Sequence, residues 1–134
     1  DFDIFLLTLT DSGTVVQGSL SLLGGDDYDR TLSRSLLQLD DQSLVLAGYT
    51  MSFGKGANDF YLVKAAATGT GDYRVDWATT FGGSNDDIAR AVIPTTDGGF
   101  AVVGYTKSFS FNEQYDIALV VTNSAGELVP VDGE

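Results

Sequence analysis

The side chains that run most hydrolytic chemistry are missing from this chain, which contains no histidine and no cysteine. Ser-His-Asp and Cys-His triads therefore cannot be assembled, and zinc loses its two commonest ligands. Carboxylates remain. A glycosidase needs two of them about 5 to 9.5 Å apart, yet Glu113, Glu127 and Glu134 come late in the chain and the aspartates fall at turn positions. No catalytic residue is assigned, and the chain reads as a non-enzyme without a cofactor.

Clustered aspartates raise a different chemistry. Asp26, Asp27 and Asp29 stand together, as do Asp86 and Asp87, both stretches beside glycines. Calcium takes about six to eight oxygens, so these five are the candidate ligands. Neither stretch matches the EF-hand loop, and the competing expectation is that the carboxylates accept backbone N–H groups in turns. Aromatic residues recur as Tyr49 and Tyr105 and as Phe53 and Phe109, with Trp77 on a predicted outer strand. A sugar site wants exposed rings beside polar groups, whereas repetition in register points to packing between repeats. Gly54-Lys55-Gly56 and Gly69-Thr70-Gly71 are followed by no helical pattern and read as hairpin turns rather than phosphate cradles.

These residues sit on a repeat. Ala47-Gly48-Tyr49-Thr50-Met51-Ser52-Phe53 returns as Val103-Gly104-Tyr105-Thr106-Lys107-Ser108-Phe109, 56 residues later. Asp3-Ile4-Phe5-Leu6-Leu7 returns as Asp59-Phe60-Tyr61-Leu62-Val63 and as Asp116-Ile117-Ala118-Leu119-Val120, and Leu23-Gly24-Gly25 as Phe81-Gly82-Gly83. Several anchors in nearly one register define a repeat array. Its units are residues 1–25 (partial), 26–83 and 84–134.

Within one period the pattern predicts four short strands, at about 73–81, 88–95, 99–106 and 115–122, separated by turns such as Thr96-Asp97-Gly98-Gly99. Both alternating sets of Phe100 to Tyr105 are apolar, which predicts burial on both sheet faces. Val16 to Leu22 alternates apolar with polar and reads as an outer strand with one wet face. The fold class is therefore all-β, with four-stranded antiparallel repeats like propeller blades.

The run Thr79-Thr80-Phe81-Gly82-Gly83-Ser84-Asn85-Asp86-Asp87-Ile88-Ala89-Arg90-Ala91-Val92, followed by Asp97-Gly98-Gly99 and Gly104-Tyr105-Thr106-Lys107-Ser108-Phe109, and then by Asp116 and Gly126, resembles the repeat of the SBBP-type β-propeller family. The resemblance is strong over 73–126 and weaker over 14–46, where Asp40-Asp41-Gln42-Ser43 replaces the turn glycines. It implies a propeller fold in an extracellular or cell-surface bacterial or archaeal protein, and no particular activity.

Composition narrows the partners. A net charge of −12 offers no basic stripe to nucleic acid or to an anionic membrane. No apolar run is long enough to insert in a bilayer. A start at Asp1 without an initiator methionine fits a processed product or a piece of a longer precursor. None of Asn58, Asn85, Asn112 and Asn123 opens an Asn-x-Ser/Thr sequon, so any glycoprotein character would be O-linked.

About two and a half blades cannot close a propeller, which takes about four to eight. The outermost sheets would be left bare, and covering about 400 Å² of apolar surface is worth about 10 kcal/mol. The array is thus an incomplete propeller, completed by other chains or by missing sequence. Copies of the chain itself are the expected partners, and Asp3, Phe5, Leu7, Tyr49, Phe53, Tyr105 and Phe109 the expected assembly and packing residues. The resulting expectation is a non-enzymatic extracellular structural protein that self-associates through blade faces and strand edges as a subunit of a surface filament or fibril. The alternative is an adhesion or carbohydrate-binding module, with surface glycans as partners, from a longer surface propeller.

Overall fold

The computed structural model describes residues 2–130, so Glu134 lies outside the described residues. Nine strands form three antiparallel sheets, and no described residue is helical. Strands β1 (Ile4–Leu6) and β2 (Ser21–Leu23) pair with each other. A four-stranded meander follows: β3 (Asp29–Gln38), β4 (Leu44–Thr50), β5 (Asp59–Ala67) and β6 (Tyr73–Phe81). The third sheet holds β7 (Asp87–Pro94), β8 (Phe100–Thr106) and β9 (Asp116–Thr122). Beyond β9 the chain turns at Asn123 to Gly126 and comes back, with Leu128 bridging Thr122 and the Val129 N–H donating to the Val121 carbonyl at 3.1 Å.

The four strands predicted for one period are found as β6 to β9, each end within about one residue of its expected place, the usual scatter of strand boundaries. The predicted outer strand over Val16 to Leu22 is not continuous. Gln17 and Gly18 form a turn, with Gly18 at φ 81°, and regular pairing starts at Ser21. Ser19 explains the interruption. Its hydroxyl accepts the Thr8 N–H and donates to the Thr8 carbonyl, tying the segment back by side chain instead of by a backbone ladder.

Each sheet has one side toward the preceding sheet and one toward the following sheet, here called trailing and leading. Leading residues Val45, Ala47, Phe60 and Leu62 of the second sheet bury against trailing residues Ala89, Val92, Phe100 and Val102 of the third. Trp77, Phe81, Ala118 and Val120 pack around that cluster. At the other joint, Ile4, Leu6 and Leu23 lead from the first sheet onto Leu46, Tyr61, Val63 and Ala65.

The second sheet is therefore covered on both sides, and β4 and β5 hold unbroken runs of buried residues for that reason. The third sheet is covered on one. In β8, Phe100 and Val102 are buried, but Val103 and Tyr105 are exposed, so the expectation that both faces of this strand are buried holds for its counterpart β4 and not for β8 itself. The strands match in sequence and differ in neighbours.

A repeated close approach accounts for the glycine of the Gly-Tyr-Thr motif. A Cβ on Gly48 would overlap the Arg30 carbonyl oxygen, and one on Gly104 that of Ile88. Both facing strands are irregular just beyond these points, between Thr31 and Leu36 and between Ala89 and Ala91, so Arg34 and Arg90 sit at β-bulges. Neither arginine forms an ion pair among the described residues. Arg90 lies over the Tyr105 ring, 5.1 Å from its centroid, and Arg34 takes φ 65°.

Candidate functional site

The acidic stretches and the Gly-Tyr-Thr-x-Ser motifs come together as a latch at the end of each joint. Asp87 opens β7 and is 1% exposed. Its Oδ2 accepts the Ser108 hydroxyl at 2.6 Å and the Gly83 N–H at 2.9 Å, while Oδ1 accepts the Thr106 hydroxyl. Ser108 Oγ in turn accepts the Asn85 N–H at 3.0 Å, and Thr106 Oγ1 the Phe109 N–H at 3.2 Å. One carboxylate thus holds the incoming linker and the outgoing loop together. Charge-assisted bonds of this kind are among the stronger ones in proteins.

The first joint repeats the arrangement. Asp29 Oδ2 accepts Ser52 Oγ at 2.7 Å and Gly25 N–H at 2.8 Å, Ser52 Oγ accepts the Asp27 N–H at 2.9 Å, and Thr50 Oγ1 accepts the Phe53 N–H at 3.2 Å. Here Asp29 Oδ1 is buried without a partner. The Asp29 charge is felt nearby: burial first, and that carboxylate second, push the Tyr61 phenol up.

The glycine pair is required by crowding. A Cβ on Gly82 would meet both Asp59 and Asp87, and one on Gly24 both Asp3 and Asp29. Asp59, also 1% exposed, accepts the N–H groups of Lys55 and Gly56 at 2.8 and 2.9 Å. The N–H groups of Lys55 and Gly56 are therefore spent on an internal carboxylate and not directed at a phosphate cradle.

Of the five calcium candidates, Asp29 and Asp87 are latch acceptors. Asp86 accepts Asn58 Nδ2 at 2.6 Å and the Tyr115 hydroxyl at 3.3 Å, and lies 3.6 Å from Lys107 Nζ. Asp27 accepts its neighbour's N–H from Tyr28, and Asp26 is exposed. Among the described residues no three His, Cys, Asp or Glu side chains gather as a metal site would require.

The aromatic candidates divide. Phe53 lies 5.7 Å from Tyr61 at the rim of the first joint and is exposed, and Tyr105 lies 6.2 Å from Tyr115. Trp77 is half-buried, 5.9 Å from Phe100 and beneath the last turn, where a Cβ on Gly126 would be 2.6 Å from its ring. It is a packing residue in the second joint. Phe109 and Phe111 stand out on the loop after β8, Phe111 being 99% exposed.

Two outermost sheet sides are bare, the exposure anticipated for so short an array. On the third sheet, Ile93, Val103, Ile117 and Leu119 occupy the places that Leu37, Ala47, Phe60 and Leu62 hold on the second. Phe60 and Leu62 are 2% and 1% exposed; Ile117 and Leu119 are 80% and 66%. On the first sheet Phe5 and Leu7 take the places of Tyr61 and Val63, and they and Leu22 are exposed. Phe5 and Leu7 were expected as assembly residues from the repeat. Ile93, Val103, Ile117 and Leu119, and the latch partners Thr50, Ser52, Thr106, Ser108 and Asp59, were not, although the same repeat offset of 56 or 57 residues marks them. No known family model and no curated protein matches this chain.

Proposed function

We propose that this chain is a non-enzymatic extracellular structural protein whose copies associate through bare sheet sides and strand edges, as subunits of a surface filament or fibril. Its three sheets are read as blade-like repeats of an incomplete propeller, in line with the resemblance to SBBP-type repeats, and that resemblance is also the ground for an extracellular location. The observation that carries the reading is the exposure of Ile117 and Leu119 where Phe60 and Leu62 are buried. Contiguous apolar patches on a protein surface mark interaction sites. The latches serve rigidity: a subunit that transmits load needs joints that do not open, and buried carboxylates bonded to both flanking loops supply that.

Electron microscopy and sedimentation of the purified chain test the proposal. Concentration-dependent growth into regular oligomers or fibres is expected. A monodisperse monomer at high micromolar concentration would remove its basis.

The adhesion reading keeps one observation in its favour, the exposed Phe109 and Phe111 beside Asn112 and Gln114 on one loop. Rings next to amides suit the apolar and polar faces of a sugar. Glycan-array binding that disappears with Phe111→Ala, in a chain that stays monomeric, would favour it over assembly.

A further inference from the structure

We propose that the copies join head to tail, the leading side of the third sheet in one copy receiving the trailing side of the first sheet in the next. The contact between copies would then repeat the two joints within one chain. This inference rests on the self-association reading above and adds the partner, the polarity and the residues.

The internal joints supply the argument. Both of them mate a leading side with a trailing side: Ile4, Leu6 and Leu23 onto Leu46, Tyr61 and Val63, then Phe60 and Leu62 onto Phe100 and Val102. Neither mates two sides of the same kind. At the two ends of the stack the chain presents one unpaired side of each kind. Ile93, Val103, Ile117 and Leu119 lead, while Phe5, Leu7 and Leu22 trail, and all are exposed. Ile93, Val103, Ile117 and Leu119 keep the apolar character of Leu37, Ala47, Phe60 and Leu62, and Phe5 and Leu7 keep that of Tyr61 and Val63 on a sheet that pairs only the counterparts of β5 and β6, so the two ends carry complementary parts of a joint. Because the two sides differ, the contact is heterologous, and such contacts propagate into rings or open filaments instead of stopping at a symmetric pair. A second copy is favoured over an unrelated partner because an apolar side of the opposite kind already exists on this chain, and equivalent sides, there borne by sheets of four and three strands, meet twice inside it.

The loop before β9 fits the same scheme. Its counterpart, Met51 to Asn58, lies across the second joint, where a Cβ on Gly56 would meet the carbonyl oxygens of Gly83 and Asn85. In the corresponding loop before β9 Phe111 is 99% exposed, with no further sheet to cross, while the Phe109 ring turns back toward the second joint, where a Cβ on Gly83 would be 3.7 Å from it.

Two full-length variants test polarity. One carries Ile117→Glu with Leu119→Glu and loses the leading side; the other carries Phe5→Glu with Leu22→Glu and loses the trailing side. The replaced side chains are exposed, and the far-ultraviolet spectrum and Trp77 emission report whether each variant keeps its fold. Each alone is expected to sediment as a monomer, and their equimolar mixture as a heterodimer that grows no further. A wild-type chain that assembles, combined with a mixture that stays monomeric or with a variant that still self-associates, overturns head-to-tail joining and leaves self-association standing. A wild-type chain that stays monomeric overturns the self-association reading itself.

Single cysteines give a readout that does not depend on charge, since the chain has none of its own. Ile117→Cys and Phe5→Cys copies are expected to cross-link several-fold more in mixture than either does alone. Equal cross-linking within each variant overturns the polarity.

Discussion

Ser108, just past β8, donates a 2.6 Å hydrogen bond to Asp87, the first residue of β7, and the same pair returns in the preceding sheet as Ser52 and Asp29 at 2.7 Å. Each bond closes a loop over a glycine-glycine linker, so the carboxylate is the common acceptor for two segments that are distant in sequence. Removing it strands several donors in a buried setting. Asp87→Ala is expected to cost about 3 kcal/mol, the range for charged acceptors with buried partners. Asp29→Ala should cost less, about 2 kcal/mol, because one oxygen of Asp29 is already unpartnered. Urea unfolding measures both, and an unchanged midpoint for Asp87→Ala would show that the latch has no energetic role.

Crowding at the motif glycines predicts a second effect. Gly48→Ala and Gly104→Ala each push a methyl group into a facing carbonyl, and overpacking of that kind costs about 1–3 kcal/mol. Gly98 has nothing near its absent Cβ but takes φ 85°. Gly98→Ala should therefore cost only its left-handed strain, about 1 kcal/mol. Thermal unfolding that ranks Gly98→Ala as the most damaging of the three would contradict this account.

Trp77 reports on the second joint. It is the chain's single tryptophan, packed near Phe100 and covered by Gly126. Gly126→Ala is expected to shift its emission to the red and to lower stability by about 1–2 kcal/mol through combined strain and overlap. Emission identical to wild type would mean that the last turn does not cover the indole in solution.

Three turn aspartates contribute to acid sensitivity. Asp97 is held below the ordinary aspartate value by the Thr95 hydroxyl first and by backbone N–H groups after it; Asp72 by the hydroxyls of Thr68 and Thr70; Asp41 by the backbone N–H of Ser43 and then its side chain. A carboxyl with a lowered folded pKa stabilises the fold at pH above the unfolded value and loses that contribution as pH falls through the folded one. Stability should therefore be insensitive to these groups from about pH 5 upward and decline below about pH 4. In an NMR titration, Thr95→Val should move the Asp97 midpoint upward, and a midpoint that stays put would rule out the hydroxyl as the main cause.

Charge should oppose assembly. With a net charge of −12, copies repel one another. Raising salt from about 0.01 to 0.15 M shortens the screening length from about 30 to 8 Å. Association through apolar sheet sides should strengthen accordingly, by sedimentation. Weakening with salt would indicate that ion pairs and not apolar sides hold the copies together.

The strand positions were legible in the residue order because they depend on local matters: alternation, turn residues such as Asp97-Gly98, and a repeat offset that carries one copy onto the next. Where a local competitor existed the reading failed, as at Val16 to Leu22, whose alternation is broken by the Gln17-Gly18 turn and by Ser19 bonding to Thr8. Burial was another matter. Gly-Tyr-Thr-x-Ser-Phe reads alike at 48–53 and 104–109, and Leu62 and Leu119 look equivalent on paper. One is sealed between two sheets and the other faces outward. Solvent exposure is a property of what lies about 10 Å above a sheet, not of the strand that carries the residue. The latch likewise joins Asp87 to Ser108 across a span that no short window of residues contains. Strand identity, and the expectation that so short an array leaves its outer sheets bare, came from order along the chain; which residues stand on the bare sides was decided by which sheet has a neighbour, and the carboxylate joints by loops that meet only in the folded chain.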